Sequence, residues 1–325
     1  MKLQQLRYIC EVAKHGLNIS SAAENLYTSQ PGISKQIRQL EDELGLKIFE
    51  RKGKHLSEIT TAGSKIIELA SSILETVENI KNVSKDFNNA NSGTLSIATT
   101  HTQARYILPA VVKKFTSQFP NVSLRIHQGT PTQISELVSN RLVDFGIATE
   151  DLSVFGSLVR LPCFKWTPLV VVPTDHELMK LERQLTLTDV IKYPIITYLL
   201  GFNARTKMDI AFQSMGLKPN IVLDAVDTDV IKTYVRLGFG IGIIASPAYD
   251  KEEDSDLVAL LGDGLYEGAT TEVIIKPGAF LRGYMYAFLK LLAPHLTSTL
   301  ISETIQSEKM TFSVSSIDGV EIPSY

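Results

Sequence analysis

The most informative segment of the amino-terminal part is Ser29-Gln-Pro-Gly-Ile-Ser-Lys-Gln-Ile-Arg-Gln-Leu-Glu-Asp-Glu-Leu-Gly45. Apolar residues recur in it at three- and four-residue spacing, as in Ile33, Ile37 and Leu40, which is the pattern of an amphipathic helix. Its proline suits the first turn of a helix and its final glycine suits the end. We therefore predict a helix over 32–44 with a buried apolar face and a polar outward face.

The residues on both sides of this helix complete a helix-turn-helix with a wing. Ser20 or Ser21 is placed to cap a preceding helix, and residues 28–31 supply the turn. Residues 47–60 contain two short apolar runs around a basic turn with a glycine, which predicts a two-stranded wing. We expect an all-α head with this wing over residues 1–60.

The second helix of this pair has the chemistry of a DNA-reading surface. In helix-turn-helix proteins this helix enters the major groove, where amide, hydroxyl and cationic side chains match base-edge and phosphate acceptors. A basic wing suits flanking phosphates or a minor groove. The alternative is a solvated basic face on a helical domain. The candidate DNA-binding residues are Ser29, Gln30, Pro31, Ser34, Lys35 and Arg38 on the helix, with Arg51 and Lys54 on the wing.

Composition and charge fit a protein in which one part meets nucleic acid. The 325 residues are 44% hydrophobic and 21% charged, which is typical of globular proteins and enough for two or three domains. The net charge is −3, yet residues 1–65 carry ten Lys and Arg against seven Asp and Glu, and the remainder is acidic. A basic head on an acidic body is expected when a single domain contacts phosphate.

Several classes of protein and site lack support. Cys10 and Cys163 lie in unrelated segments, which argues against a disulfide framework and a thiolate zinc site. His101 and His127 have no partner at metal spacing, and no nucleophile elbow, P-loop or dinucleotide fingerprint occurs. We predict no catalytic residues, no cofactor and no metal. Without a signal-peptide pattern or an apolar run of about 20 residues, we expect a soluble cytoplasmic protein with no membrane partner.

A long helix is predicted after the head, from residue 61 to about residue 87. Its apolar residues repeat near 3.5-residue spacing, which indicates a seam that packs on another helix. The residues of this predicted seam are Ile66, Ala70, Ile73, Val77, Ile80 and Phe87. At about 1.5 Å per residue the helix is about 40 Å long, too long to pack only on a small head. We predict that residues 61–92 form a linker and dimerisation helix.

The body beyond the linker alternates strands and helices, which indicates parallel sheets with crossover helices. Two such units predict two similar lobes with a cleft between them, lobe I over about 93–162 and 267–295 and lobe II over about 163–266. Residues 296–325 are a polar C-terminal extension without an assigned structure. The predicted fold class is multidomain: an all-α winged helix-turn-helix head, a long linker helix and a two-lobed α/β domain over 93–295.

Polar residues follow the predicted strands at the cleft. Thr100, Thr102 and Gln103 come after the first strand, and Thr149 comes after the third. Open α/β folds bind ligands at the carboxyl edge of their strands, where hydroxyls and free N–H groups solvate an anion without a fixed cation. Ordinary helix capping is the alternative for each threonine. With equivalents in the second lobe, the candidate effector-binding residues are Thr100, Thr102, Gln103, Gly129, Thr149, Thr197, Tyr198 and Asn203.

Motifs along nearly the whole chain resemble those of LysR-type transcriptional regulators. In the head the resemblance runs in register over more than forty residues, and the body is similar to the CysB/Cbl branch of that family. The head motifs are Ala22-Ala-Glu-Asn-Leu26, the stretch 29–45, Ile48-Phe-Glu-Arg51 and Thr61-Ala-Gly63, and the body motifs are residues 99–106, 127–134 and 228–238.

The resemblance implies a function and a set of partners. It implies a periplasmic-binding-protein-like effector domain that binds a small inducer between its lobes, and this branch controls sulfur-assimilation genes. The implied partners are double-stranded promoter DNA, an effector of the sulfate, thiosulfate or O-/N-acetylserine type, further copies of the chain in a dimer through the linker helix and a tetramer, and RNA polymerase. One departure concerns ligand choice: Asn203 stands where the family tends to have a threonine after Gly-Phe.

Two functions therefore compete. The first is a ligand-gated DNA-binding regulator of sulfur assimilation and cysteine biosynthesis. The second is a cytoplasmic small-anion-binding protein or enzyme whose helical head only mediates assembly. The head favours the first, because the second gives no reason for a polar recognition helix followed by a basic wing.

Overall fold

The computed structural model describes residues 1–53, 55–88, 91–149, 156–261, 265–306 and 322–324. The chain divides into two compact units, unit 1 with Met1–Asn88 and unit 2 with Asn89–Tyr325. Within the ranges described, no helix is both long enough and apolar enough to cross a membrane.

Unit 1 is a helical head with a two-stranded wing. Its core includes Ile33, Ile37 and Leu40, which are fully buried on the inner side of the second helix of the pair. The predicted helix-turn-helix and wing are thereby confirmed. The elements are α1 (Leu3–Lys14), α2 (Ile19–Asn25), α3 (Gln30–Leu44), β1 (Phe49–Lys52), β2 (His55–Ile59) and α4 (Thr61–Asn88), with β1 and β2 antiparallel.

An asparagine, not a serine, caps the first helix of the pair. The Asn18 side chain accepts a hydrogen bond from the backbone N–H of Ser21 at 3.1 Å. The prediction of a cap at Ser20 or Ser21 is wrong, because α2 already begins at Ile19 and includes both serines. A side-chain oxygen three residues before the N–H it binds is the geometry of a helix cap.

The second helix of the pair begins earlier than predicted. Ser29 is its cap and accepts a hydrogen bond from the Gly32 N–H at 3.3 Å, so α3 starts at Gln30. Gly45 ends α3 with a φ of 67°, a left-handed conformation that glycine adopts without strain.

A buried carboxylate joins this helix to the wing. Glu41 is 1% exposed, and its Oε1 accepts backbone N–H hydrogen bonds from Ile48 at 2.9 Å and Phe49 at 3.1 Å. A buried N–H group without an acceptor destabilises the folded state. Glu41 therefore determines where the wing starts relative to α3.

The inner face of α4 belongs to the head. Ala70 is buried, and Ile66 and Leu74 pack against the core of unit 1. The predicted seam is wrong in part, because Ile66 and Ala70 lie on the side of α4 that packs within unit 1.

The outer face of α4 carries exposed apolar residues. Leu69, Ile73 and Ile80 are 65%, 40% and 64% exposed, and Val77 between them is half-buried. We call these four residues the α4 stripe. Phe87, predicted on the same seam, lies outside the side chains that the structure describes.

Lobe I of unit 2 contains a mixed five-stranded sheet in the order β4-β3-β5-β12-β6. Strand β3 is parallel to β4 and β5, whereas β12 is antiparallel to β5 and β6. The elements are β3 (Ser92–Thr99), a π-helix (Gln103–Ile107), α5 (Leu108–Gln118), β4 (Asn121–Gln128), α6 (Pro131–Ser139), β5 (Phe145–Ala148), β6 (Val159–Trp166), β12 (Ala269–Ile275), α10 (Gly283–Leu292) and α11 (Ser298–Gln306).

Lobe II contains a second mixed sheet in the order β11-β7-β10-β8-β9. Strands β10, β8 and β9 are parallel, and β7 pairs antiparallel with β10 and β11. The elements are β7 (Pro168–Pro173), a 3-10 turn (Glu177–Lys180), α7 (Leu187–Val190), β8 (Ile195–Tyr198), α8 (Asn203–Ser214), β9 (Ile221–Ala225), α9 (Thr228–Arg236), β10 (Ile241–Ala245), a 3-10 turn (Ser246–Ala248) and β11 (Leu257–Leu261).

The two-lobed α/β architecture is confirmed, and two details of the prediction are corrected. The sheets are mixed rather than parallel, because a chain that crosses between lobes enters the new sheet against the direction of its neighbours. The lobe boundary after residue 162 is placed too early, because residues 163–166 belong to β6 and pair with β12 in lobe I.

Part of the predicted C-terminal extension belongs to the lobe I core. Leu296, Ile301 and Ile305 are buried in the same cluster as the lobe I strands. Although this segment is polar in composition, Ile301 and Ile305 are four residues apart and therefore lie on one face of α11. Farther on, the Lys165 N–H donates to the Pro323 carbonyl at 2.8 Å, so residues 322–324 lie along β6.

We expect Glu41→Ala to destabilise unit 1 by about 2–4 kcal/mol, because the Ile48 and Phe49 N–H groups lose their buried acceptor. Glu41→Gln keeps an acceptor oxygen and should cost less. Urea denaturation is followed by far-ultraviolet circular dichroism, which reports the helices of both units, and by the fluorescence of Trp166, the single tryptophan, which reports unit 2. A loss confined to unit 1 appears as a dichroism transition at lower urea with an unchanged fluorescence transition. Equal losses in the two variants, or a matching shift of the tryptophan transition, would contradict this role.

Candidate functional site

Unit 1 presents one polar face on α3. The apolar side of the helix is buried in the head core, which turns its remaining residues outward. These residues combine amide, hydroxyl and cationic groups, the donors that read base edges and bind phosphates. Of the predicted contact residues, Ser34 is half-buried, and the exposed ones are Ser29, Gln30, Pro31, Lys35 and Arg38.

The wing contributes a second basic element to unit 1. Lys52 at the end of β1 is exposed, and Arg51 is half-buried. The Arg51 Nη2 is shielded from solvent and has no hydrogen-bond partner among the residues described. Lys54, also a predicted contact residue, lies outside the described residues.

Unit 2 holds a cavity of about 40 Å³ between its lobes. Lobe I contributes the ends of β3, β5 and β6, and lobe II contributes the ends of β8 and β10. None of the described residues that line it is charged. The lining residues are the predicted Thr100, Thr102, Gln103, Thr149 and Tyr198, together with Trp166, Phe202, Ala204, Ala245 and Pro247.

On the lobe I side, neutral polar groups bind one another. The Thr100 hydroxyl donates to the Gln103 amide oxygen, and the Gln103 Nε2 donates to the hydroxyls of Thr149 at 3.3 Å and Thr271 at 3.4 Å. The Thr149 and Thr271 hydroxyls are 2.8 Å apart. All four side chains are buried. Hydroxyl and amide groups reorient easily, so this network can direct its donors toward an anion.

On the lobe II side, the central polar group is the Tyr198 hydroxyl. Its oxygen accepts the Ala245 N–H at 3.1 Å and lies 2.9 Å from the Thr228 hydroxyl. Burial raises the pKa of Tyr198, so this phenol stays protonated at neutral pH. The Thr228 hydroxyl in turn lies 3.3 Å from that of Thr102, so a hydrogen bond crosses between the lobes at the cavity.

Nearby cations are already neutralised by carboxylates. The Lys232 ammonium lies 2.8 Å from Asp254, and the Arg205 guanidinium donates to Asp209 at 3.0 Å. The cavity therefore offers an anion neutral hydrogen-bond donors rather than a counter-ion.

Three predicted effector-binding residues lie elsewhere. The Thr197 hydroxyl donates to the Ile243 carbonyl at 3.2 Å and so joins two strands of the lobe II sheet. The Gly129 N–H donates to the Thr99 carbonyl, just before the start of α6. Asn203 lines a different, larger cavity of about 700 Å³ at the lobe junction. None of these three residues lines the 40 Å³ cavity, because their positions are engaged in or beside other elements.

Two residues of the cavity network escaped the sequence analysis. Thr228 lies in the quoted motif 228–238, three residues after β9 ends at Ala225, so the strand-end pattern that selected Thr102 after β3 could have found it. Thr271 lies on β12, which reaches lobe I after the chain has passed through the whole of lobe II. No local pattern connects Thr271 with Thr149.

One group of side chains has the spacing of a metal site. Ligand atoms of His101, Asp227 and Asp229 all lie within 4.8 Å of one another. However, the Lys232 ammonium is 3.5 Å and the Arg105 guanidinium 3.6 Å from Asp229. These two cations make the cluster unfavourable for a metal ion, because they already neutralise the Asp229 carboxylate and would repel a further positive charge.

Two family models match the chain. Residues 3–64 match the bacterial regulatory helix-turn-helix protein of the lysR family, and residues 88–297 match the LysR substrate binding domain.

Curated relatives match over nearly their whole length. The regulator CysB of Haemophilus influenzae is 46% identical over 322 residues, which is 99% of either chain. SsuR of Burkholderia cenocepacia is 46% identical and covers 93% of this chain and 98% of its own. The regulator cbl of Escherichia coli K12 is 42% identical and covers 98% and 99%.

Solved structures extend the match. The cofactor-binding domain of the Cbl transcriptional regulator superposes with a TM-score of 0.63 at 43% identity and covers 66% of this chain and 95% of its own. A full-length OxyR variant from Pseudomonas aeruginosa, at 20% identity, shares the fold with a TM-score of 0.62 over 90% of this chain and 97% of its own. The chain thus belongs to the LysR family of bacterial helix-turn-helix transcriptional regulators, as its motifs predicted, and is not an enzyme.

Proposed function

We propose that this regulator controls sulfur-assimilation genes, including those of cysteine biosynthesis, in response to a small anionic or acetylserine-type effector in the 40 Å³ cavity. The observation that carries the proposal is the cavity lining, in which hydroxyl and amide groups from both lobes converge without a charged residue among those described. Relatives named CysB, SsuR and cbl, at 42–46% identity, support the choice of genes.

The chemistry of the cavity favours a compact oxyanion. Each hydrogen bond to a charged group contributes roughly 1.5–3 kcal/mol, so several neutral donors hold a sulfate or thiosulfate without a cation. A water-sized sphere needs about 10–15 Å³, and a cavity of about 40 Å³ therefore admits only a few heavy atoms. An O- or N-acetylserine is larger and requires the lobes to open further.

DNA recognition requires more than one head. A single head neutralises few phosphates, and tight binding uses two half-sites about one helical turn apart. The α4 stripe supplies an apolar surface for the helix of a second copy, which supports a dimer through this helix. The family resemblance adds a tetramer, RNA polymerase as a partner, and the cytoplasm as the location.

The effector acts by favouring one arrangement of the lobes. Because the cavity takes donors from both lobes, a ligand that bridges them binds the closed arrangement better than an open one. Coupling to the DNA-binding heads then requires that lobe closure change the geometry of the assembled regulator.

The first prediction from the proposed function concerns α3. Arg38→Ala should weaken binding to a specific duplex by about 1–3 kcal/mol and relax its specificity, because a cationic base or phosphate contact is lost. The site is first selected from a random duplex pool with the parent protein, and affinities are then measured by gel shift. Arg7→Ala, which removes an exposed arginine from α1, is the matched control. Equal affinities for Arg38→Ala and the control would contradict the recognition role of α3.

The second prediction concerns the α4 stripe. Ile73→Lys with Ile80→Lys should produce monomers that lose operator binding, because two buried ammonium groups are incompatible with an apolar helix pair. The control pair, Glu68→Lys with Ser72→Lys, adds lysines at exposed polar positions of the same helix and should leave the assembly intact. Sedimentation velocity gives the oligomeric state. An intact oligomer for the stripe variant would show that other surfaces hold the copies together.

The third prediction tests the effector. Thr100→Val keeps the side-chain shape and removes one donor, so sulfate or thiosulfate affinity should fall about tenfold or more. Thr197→Val is the matched control, because its buried hydroxyl bonds a strand carbonyl outside the cavity. Calorimetric titration with sulfate, thiosulfate, O-acetylserine and N-acetylserine ranks the candidates. If Thr100→Val binds them like the parent, the threonines are structural caps and the proposed site is wrong.

A further inference from the structure

Tyr106 reaches across the cleft from lobe I into lobe II. It lies on the π-helix of lobe I, yet its ring packs against the apolar cluster that contains Tyr198, Phe202 and Ile231 of lobe II. The Lys232 ammonium sits 4.9 Å from the centre of that ring. This side chain therefore has its main neighbours in the opposite lobe.

The Tyr106 hydroxyl makes a charged hydrogen bond at the start of α9. It donates to the Asp229 carboxylate. Burial alone would raise the pKa of Asp229, but the hydrogen bond from Tyr106 and the charges of Lys232 and Arg105 hold it below its usual value. Asp229 is also in the first turn of α9, where the helix dipole favours a negative charge. The acceptor is thus an ionised group held in place by lobe II itself.

Tyr106 and Asp229 are each only a few residues along the chain from a polar residue at the effector cavity. On lobe I, Thr102 and Gln103 precede Tyr106 by about one turn of the π-helix, and both line the cavity. On lobe II, Thr228 adjoins Asp229 and bonds Thr102 and Tyr198. Single-turn π-helices occur frequently at functional sites. A contact that fixes Tyr106 on Asp229 therefore also fixes the donors on the two sides of the cavity.

We propose that Tyr106 is a positioning residue for the effector, whose hydroxyl latches lobe I to α9 through Asp229 and so keeps the cavity in its binding-competent, closed arrangement. The inference rests on the proposed effector function and adds a residue that does not line the cavity. Apparent affinity falls with the fraction of molecules in the competent arrangement, so loss of the latch weakens binding without removing any donor from the cavity.

The test compares full-length Tyr106→Phe with the parent in calorimetric titrations with sulfate. Phenylalanine keeps the ring in the apolar cluster and removes only the hydroxyl. We expect about five- to tenfold weaker sulfate binding. Tyr193→Phe is the matched control, because the Tyr193 hydroxyl also donates to a carboxylate, Glu177 at 2.7 Å, but within lobe II. It should bind sulfate like the parent.

Two further measurements separate a latch from a general loss of stability. In a double-mutant cycle, Tyr106→Phe should have less than a twofold effect on sulfate affinity once Asp229→Asn has weakened the acceptor of the Tyr106 hydroxyl. The lost charge contacts of Asp229 with Lys232 and Arg105 are the same in both proteins of that comparison and cancel. Without ligand, hydrogen exchange in peptides covering residues 100–108 and 226–236 should be faster in Tyr106→Phe than in the parent and unchanged in Tyr193→Phe.

The outcomes distinguish the latch from the proposed function. If the parent binds sulfate and Tyr106→Phe binds it equally well, the latch is wrong and the effector assignment stands. Additive effects of Tyr106→Phe and Asp229→Asn, or unchanged hydrogen exchange, also overturn the latch. If the parent binds none of sulfate, thiosulfate or the acetylserines, the proposed effector class fails, and the positioning role fails with it.

Discussion

The effector domain depends on one tight crossing of its chain between the two sheets. The outgoing chain passes Thr167, and the returning chain passes Gly268 directly beside it. A Cβ atom on Gly268 would lie 1.8 Å from the Trp166 carbonyl oxygen, so only glycine allows the two segments to approach this closely. The Ser246 N–H donates to the Thr167 carbonyl at 2.9 Å, which ties the crossing to lobe II. Because the crossing is narrow, the facing edges of the two sheets meet, and the cavity forms where they meet.

Charge and hydroxyl groups have separate tasks around that cavity. The buried ammonium of Lys232 is bound by Asp254 and the Ala248 carbonyl, and the Arg205 guanidinium by Asp209. Removing either partner of the buried Lys232–Asp254 pair leaves the other charge buried without its counter-ion, so this pair stabilises lobe II and is poorly suited to exchange partners with a ligand. Neutral hydroxyls lose little when they change partners. The division gives a rigid frame and an adaptable binding surface.

Contacts between the lobes connect these two sets of groups. The bond from Thr102 to Thr228 belongs to the neutral surface, and the bond from Tyr106 to Asp229 belongs to the charged frame. Both pairs lie within one turn of the π-helix and one turn of α9. A ligand that shifts the hydroxyl groups of the cavity therefore also acts on residues next to the Tyr106–Asp229 contact between the lobes. This proximity is what a ligand-dependent regulator needs, since a ligand shifts an equilibrium only through contacts that differ between its two states.

Elements whose cause is local could be predicted from the amino-acid sequence alone. The spacing of Ile33, Ile37 and Leu40 predicts α3 and its outward polar face, because burial of one face of a helix follows from residues three and four apart. The family motifs likewise identified the regulator, since they run in register along the chain. The strand ends at Thr100 and Thr149 were also visible, because parallel strands that follow one another in the chain bring their carboxyl ends to one edge of a sheet.

Which polar residues share a cavity depends on how distant segments of the chain fold together. Thr149 bonds Thr271, more than a hundred residues away, because β12 returns to lobe I between β5 and β6. Thr197 has the same local pattern as the cavity threonines, but the neighbouring strand β10 takes its hydroxyl. Hydrogen bonds between distant segments depend on strand order and direction, and periodicity along the chain carries neither.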